Sequence, residues 1–134
     1  MDRFKKVISE FENALERLEE AYEKTVELKG KEEYPFYKDS TVQRFEFTFE
    51  TAWRAMKEFL GKEGILCRSP RGCARELFSA GYISEEDTRT FFRTIEDRSL
   101  TVHTYREEVA EEIVSRMGEH IQLLRKFLEL FRGS

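Results

Sequence analysis

Residues 96–105 place several chemically reactive side chains close together in the sequence. The segment reads Glu-Asp-Arg-Ser-Leu-Thr-Val-His-Thr-Tyr and holds one of the two histidines of the chain. The guanidinium of Arg98 has the shape to hold a phosphate through two parallel hydrogen bonds. The imidazole of His103 exchanges a proton near neutral pH. With the phenol of Tyr105, these side chains point to phosphodiester chemistry.

An ordinary interhelical loop whose polar residues cap the next helix would have a similar composition. Thr104 and Glu107 have the spacing of a capping box, so helix capping alone accounts for Thr104. Capping at Thr104 places His103 just before a helix and Tyr105 in its first turn. Backbone N–H groups at such a helix start carry partial positive charge and favour an anion.

The polar residues around Arg98 are candidates for supporting roles. Glu96 and Asp97 are adjacent, so we expect at most one of them to orient Arg98 or His103 while the other contacts water. Ser99 follows the arginine directly. RNA cleavage without a metal needs a base, an acid and a cation at the phosphate. Because one chain supplies one suitable histidine, such a nuclease would form its site at a symmetric dimer interface.

Helical periodicity predicts the elements that position this segment. Apolar residues recur at steps of three and four, and no strand pattern is present. The prediction is a single all-α domain, residues 1–134, folded as an antiparallel helical bundle of four-helix type with three long and two short helices. The long helices are predicted over residues 2–28, 40–60 and 105–131, and the short ones over residues 70–80 and from residue 84 into the segment 96–105.

The second predicted helix has a candidate interface on a face other than its apolar core stripe. Its adjacent residues, at steps of three and four, are Gln43, Phe47, Glu50 and Arg54. A phenylalanine among polar side chains is typical of a binding surface, although a surface aromatic covered by a neighbouring helix would look the same. His120 lies on the apolar stripe of the last helix, which favours a core histidine.

Composition and charge limit the function classes. Charged residues make up 37% of the chain, and the net charge of −4 excludes a broad basic nucleic-acid surface, so any contact with RNA should be local. The most basic local group is Arg68, Arg71 and Arg75, for which a solvated helix start is favoured over a phosphate contact.

Cysteine usage and hydropathy exclude further classes of protein. Cys67 and Cys73 lack the spacing and partners of a zinc site and predict no disulfide framework. We predict neither a metal nor a cofactor. The sequence contains no signal-peptide core and no apolar run long enough to span a membrane, which predicts a cytoplasmic protein.

Two blocks of the sequence resemble a known family. The spacing of Arg98, His103 and Tyr105 is similar to the Arg-x4-His-x-Tyr motif of HEPN (higher eukaryotes and prokaryotes nucleotide-binding) proteins. Residues 39–53 and residues 96–105 both resemble the nucleotidyltransferase substrate-binding protein family, in the same order. The resemblance extends over nearly the whole chain, about residues 4–130.

The resemblance implies a dimeric helical bundle whose partner is a minimal nucleotidyltransferase encoded nearby. In related pairs the HEPN chain is a metal-independent RNase toxin, and the nucleotidyltransferase neutralises it by attaching AMP to the motif tyrosine. Arg98 and His103 would then be catalytic, and Tyr105 would be modified. Ser99 departs from the Asn, Asp or His that is common at its position. The alternative, implied by the family name, is a non-catalytic subunit that binds the nucleotide or substrate of the nucleotidyltransferase.

Overall fold

A computed structural model describes residues 2–103 and 106–133, although the side chain of His103 lies outside that description. In the described residues the chain forms six α-helices and no strand. These are α1 (Arg3–Glu27), α2 (Tyr34–Lys62), α3 (Pro70–Ser79), α4 (Glu85–His103), α5 (Glu107–Ser115) and α6 (Met117–Arg132). The prediction of an all-α bundle is therefore confirmed.

The four longest helices, α1, α2, α4 and α6, surround one apolar core. α1 packs along α2 and contacts α6, while α4 contacts both α2 and α6. The short α3 packs between α2 and α4, and α5 lies against α2. Aromatic residues dominate the core, and seven phenylalanines are fully buried: Phe11, Phe45, Phe49, Phe59, Phe91, Phe127 and Phe131. Burying each of these side chains contributes roughly 1.5–3 kcal/mol before the cost of conformational entropy.

The second helix begins earlier than the sequence pattern predicts. α2 starts at Tyr34, and Pro35 lies in its first turn rather than in a loop. Proline suits this position because its missing N–H would have no helical partner there. Ser40 consequently lies inside the helix and does not cap it. The extra turns bring Lys38 into a buried position against α5.

The segment 96–105 is mostly helical, in agreement with the helix predicted from residue 84 into it, and its described residues do not form the interhelical loop of the alternative. α4 continues through it to His103, and α5 begins at Glu107 rather than at Tyr105. The last predicted helix is also divided, because the chain turns at Arg116 between α5 and α6. Apolar periodicity continues across this break and does not reveal it.

Helix capping and the apolar stripes are mostly predicted well. Ser69 and Ser84 accept hydrogen bonds from backbone N–H groups three residues later, each at 3.0 Å, as expected for N-caps. The apolar stripe predicted along the second helix, which we call the α2 stripe, is buried throughout: Val42, Phe45, Phe49, Ala52, Met56 and Phe59. Two apolar residues that continue the helical spacing are exposed: Val26 at 57% and Phe78 at 46%. Both lie in the last turns of their helices.

Cys67 and Cys73 form a disulfide, so the prediction of unlinked cysteines is wrong. Their Cα atoms are 5.1 Å apart, and both residues are buried. The cysteines are six positions apart, and the intervening Ser69 and Pro70 turn the chain sharply into α3. The turn brings together two cysteines whose spacing matches no common motif.

No described helix is long and apolar enough to cross a membrane.

We expect reduction of this disulfide to lower the free energy of unfolding. A cross-link that closes so short a loop stabilises by about 2 kcal/mol at 25 °C, mainly by restricting the unfolded chain. Urea denaturation with and without dithiothreitol measures the difference. The variant Cys67→Ala/Cys73→Ala is the control and should not respond to dithiothreitol. Equal midpoints for the oxidised and reduced wild type would contradict the prediction.

Candidate functional site

Arg98 lies near the C-terminal end of α4 and is held by α2. Its guanidinium forms an ion pair with Glu50 and lies over the ring of Phe49, 5.3 Å from the centroid. Phe49 in turn stacks on Phe91, with ring centroids 5.8 Å apart. One third of the Arg98 side chain is exposed to solvent. Arg98 is thus fixed by one carboxylate and one aromatic face while part of it stays accessible.

The hydrogen-bonding capacity of Arg98 is not used up by Glu50. The guanidinium donates to Glu50 through one terminal nitrogen, whereas the Nε–H group is buried without an acceptor among the described residues. An unsatisfied buried donor costs roughly 1–3 kcal/mol. The surrounding packing therefore keeps Arg98 in an arrangement that its own hydrogen bonds do not fully support.

Asp97, the neighbour of Arg98, belongs to a buried polar network. Its carboxylate accepts two hydrogen bonds from Arg116, at 2.9 and 2.8 Å, and one from His120 Nε2 at 2.7 Å. The other ring nitrogen of His120 lies 2.8 Å from the hydroxyl of Thr94. Phe45 stacks on the His120 ring at 5.3 Å. These contacts tie α4 to α2 and to the start of α6.

The network determines the charge state of Asp97. Burial alone would raise the pKa of this carboxyl, but hydrogen bonds from His120 and Arg116 outweigh burial and lower the pKa below its ordinary value. The same contact raises the pKa of the Arg116 guanidinium. Asp97 is therefore ionised, and its three hydrogen bonds orient Arg116 and His120 rather than Arg98.

A second polar cluster fixes α5, directly after residues 104–105. Lys38 of α2 is only 5% exposed and forms ion pairs with Glu107 and Glu111, the latter at 3.3 Å. Tyr34 donates its hydroxyl hydrogen to Glu111 as well. Burial and this hydrogen bond raise the pKa of Tyr34 to about 12, so its proton stays in the contact. The start of α5 is thus anchored to the start of α2.

The predicted site residues divide into three groups. Arg98 and the backbone of His103 lie on α4, one side of residues 104–105. Glu96 and Ser99 are exposed side chains on the same helix. Thr104, Tyr105 and the side chain of His103 lie outside the described residues, so their predicted roles remain predictions. No group of three or more metal-binding side chains occurs in the described ranges 2–103 and 106–133.

The predicted interface residues lie on the outer side of α2. Gln43, Phe47 and Arg54 are exposed, with Phe47 at 59%, and Arg54 reaches Glu10 at 3.4 Å. Glu50 is the exception, because it contacts Arg98. The sequence gives no direct signal for this pairing or for the Lys38 cluster. Residues 39–53 and residues 96–105 are the two blocks that resemble the family. Glu50 lies in the first block and Arg98 in the second, so the resemblance indirectly indicated both residues of the pair.

The comparison with protein families decides the assignment. A family model described as nucleotidyltransferase substrate binding protein like matches residues 6–132. The chain belongs to this family. No curated protein matches the sequence.

Two solved structures resemble this member of the nucleotidyltransferase substrate-binding family. A crystal structure of a Thermus thermophilus protein has a TM-score of 0.71 and 37% identity, covering 86% of this chain and 98% of that one. A tri-AMPylated HEPN toxin of Shewanella oneidensis, in complex with an MNT antitoxin, has a TM-score of 0.74 and covers 100% of both chains at 14% identity. This second likeness establishes the HEPN fold.

We expect Asp97→Asn to lower the free energy of unfolding of this protein strongly at neutral pH. Removing the charge from a buried, paired carboxylate costs about 3 kcal/mol. Because the folded-state pKa of Asp97 is lowered, its contribution is present above the unfolded pKa near 4 and is lost as the pH falls below it. The free energy of unfolding, measured by urea denaturation between pH 7 and pH 3, should therefore fall less steeply with decreasing pH in the variant than in the wild type.

Asp87→Asn is the matched control for this substitution. Asp87 is partly buried and pairs at 3.2 Å with the exposed side chain of Lys126, and an ion pair that reaches solvent in this way contributes at most about 1 kcal/mol. A loss in Asp97→Asn no larger than in this control would show that the network does not carry the stability assigned to it.

Proposed function

We propose that this protein is the HEPN subunit of a two-component system with a minimal nucleotidyltransferase, and that it is a metal-independent RNase. The observation that carries the proposal is the placement of Arg98 at the end of α4, partly exposed and fixed on Glu50 and Phe49. His103 ends the same helix, so the two motif residues share one rigid element. The HEPN fold supports this reading of the motif.

The chemistry requires that a 2′-hydroxyl oxygen attack the adjacent phosphorus of RNA. His103 takes the hydroxyl proton, the bond to the 5′-oxygen breaks, and that oxygen is protonated as it leaves, giving a 2′,3′-cyclic phosphate. Arg98 stabilises the charge that accumulates on the phosphate oxygens. Glu50 keeps the guanidinium in place in the free protein. When RNA binds, the substrate phosphate replaces Glu50 as the partner of Arg98.

A symmetric dimer would complete this site. Residues five apart, such as Arg98 and His103, lie on different faces of an α-helix and about 7.5 Å apart along its axis. A two-fold axis beside the end of α4 would bring a second pair of these residues to the same phosphate, so that one histidine acts as base and the other as acid. The exposed face of α2 around Phe47 is available for such a contact.

The nucleotidyltransferase partner, encoded nearby, would silence the nuclease by modifying Tyr105. In this step the phenol oxygen of Tyr105 attacks the α-phosphorus of ATP, loses its proton, and displaces pyrophosphate. The product is a tyrosine ester of AMP close to Arg98 and His103 in sequence. The added phosphate is an anion that would compete with RNA for Arg98. We place the pair in the cytoplasm, where its RNA substrates are found.

The RNase proposal is tested with protein produced without its partner. Intact mass first establishes that Tyr105 is unmodified, and RNA cleavage is then measured in EDTA. We expect His103→Ala and Arg98→Ala each to lower the rate by about 100-fold or more, since each removes a group that acts in the transition state. Arg93→Ala lies on the same helix, and the Arg93 guanidinium contacts Thr90 at 3.2 Å and Glu119 at 3.9 Å rather than the motif, so this variant should retain the wild-type rate. Intact RNA after incubation with unmodified wild type at dimer-forming concentration would refute the proposal.

A second candidate function is a non-catalytic subunit that binds the nucleotide or substrate of the nucleotidyltransferase. The exposure of Phe47 at 59% supports it, since covering this ring with a partner would remove apolar surface from water. In this case catalysis would reside in the partner alone, and the end of α4 would hold a nucleotide phosphate without cleaving RNA.

Phe47→Asp tests whether this face assembles with another protein. A charge at a buried interface position should raise the dissociation constant of the homodimer or of the complex at least about tenfold. Light scattering measures the dimer, and co-purification measures binding to the nucleotidyltransferase. Phe78→Asp places the same charge at an exposed phenylalanine of α3 and should leave both unchanged. Wild-type assembly by Phe47→Asp would rule out this face.

A further inference from the structure

Three arginines at the start of α3 have no acidic partner. Arg68 and Arg75 are exposed and Arg71 is partly buried, and none of them forms an ion pair within the described part of the chain. We call Arg68, Arg71 and Arg75 the α3 arginine cluster. Eight residues of sequence thus carry three positive charges that no neighbouring carboxylate neutralises.

Most arginines elsewhere in the described residues are neutralised locally. Examples are Arg54 with Glu10 at 3.4 Å, Arg116 with Asp97 at 2.8 Å and Arg132 with Glu12 at 3.2 Å. The chain contains 27 acidic and 23 basic residues, so carboxylates are in excess. The absence of a partner for the α3 arginine cluster is therefore a local property and does not follow from composition.

Two members of the cluster share one aromatic ring. The guanidinium carbons of Arg71 and Arg75 lie 4.9 and 5.7 Å from the centre of the Phe92 ring on α4. Stacking on an aromatic ring fixes the plane of a guanidinium while leaving N–H groups free to donate. Two like charges on one ring also repel each other, and a bound anion would relieve that repulsion.

The backbone beneath the cluster is rigid. Ser69 caps the helix through its 3.0 Å contact with Gly72 N, Pro70 occupies the first turn, and the disulfide joins Cys67 to Cys73. Arg68 and Arg71 lie between the two linked cysteines. Because this segment is already ordered, a ligand bound to it would lose little affinity to chain ordering.

The position of the cluster relates it to Arg98. Phe92 and Arg98 lie on the same helix, six residues apart, which separates them by about 9 Å along its axis and about 120° around it. Two carboxylates border this region in sequence, Glu76 beside the cluster and Glu96 on α4, and both are exposed. These carboxylates limit the positive surface to the cluster itself. A positive surface of this size suits the binding of a few phosphates, whereas a long nucleic-acid strand would need an extended basic groove.

We propose that the α3 arginine cluster binds backbone phosphates of single-stranded RNA, beside the phosphate that Arg98 holds. The proposal rests on the proposed function for the choice of RNA as the polyanion. Guanidiniums recognise phosphate through paired hydrogen bonds, and several of them side by side match successive phosphates of one strand. An acidic protein surface would use the same charges, and the test separates the two.

The experiment measures binding of a fluorescently labelled single-stranded RNA by anisotropy, in the His103→Ala background so that cleavage does not interfere. We expect Arg71→Gln/Arg75→Gln to raise the dissociation constant about tenfold or more at low salt. The slope of log K against log salt concentration should become shallower by about 1.4, since each phosphate contact to a single strand contributes about 0.7.

Arg17→Gln/Arg44→Gln is the matched control. These arginines, on α1 and α2, are also exposed and also lack an ion pair among the described residues, so the net charge changes equally. We expect RNA affinity within about threefold of the background protein. An equal loss in the control would show that only net charge matters and would overturn the proposal.

Further outcomes separate this proposal from the proposed function. An RNA affinity that is unchanged in Arg71→Gln/Arg75→Gln overturns the proposal for the α3 arginine cluster. A double variant that loses nucleotidyltransferase binding but retains its RNA affinity also overturns it. If the wild type does not cleave RNA but the double variant still loses RNA affinity, the RNase proposal fails and this one stands. Should the double variant unfold at a lower temperature, Arg75→Gln alone, at an exposed site, gives the same readout with half the change in slope.

Discussion

The buried carboxylate of Asp97 is the constraint on which the candidate site depends. An ionised group that is only 4% exposed is tolerated because Arg116 and His120 supply three hydrogen bonds to it. Those donors come from the junction of α5 and α6, so the bond geometry fixes α4 against that junction. The break at Arg116 has a physical role here, because it lets the side chain turn back to Asp97.

The same constraint directs Arg98 toward α2. Consecutive residues of an α-helix point about 100° apart, so a helix that buries Asp97 against α6 must aim Arg98 elsewhere. Glu50 and Phe49 receive it there. On the far side of residues 104–105, Lys38 and Glu107 hold the start of α5. The motif therefore lies between two anchored helices, and each anchor pairs α2 with a later part of the chain.

The sequence predicts what depends on local pattern and misses what depends on tertiary contacts. Apolar periodicity identifies the helices and the α2 stripe, and Ser69 and Ser84 are recognisable caps because capping is local. The disulfide was missed although the turn at Ser69 and Pro70 that closes it is local, because a separation of six residues matches no common cysteine motif. For the site, the motif drew attention to Arg98, but its pairing with Glu50 required the fold.

Charge pairing also explains how an acidic chain could select RNA over a free nucleotide. Glu50 cancels much of the charge of Arg98, so this arginine alone attracts an isolated phosphate weakly. The α3 arginine cluster keeps its charge, because no described carboxylate pairs with it, and the Phe92 ring that carries two of its arginines lies about 9 Å along the axis of α4 from Arg98. Only a ligand with several linked phosphates reaches both places at once. In the proposed complex, linkage would raise the effective concentration of the phosphate at Arg98, where it would displace Glu50. A mononucleotide gains no such advantage, so the separation of the two positive sites is itself a basis for discrimination.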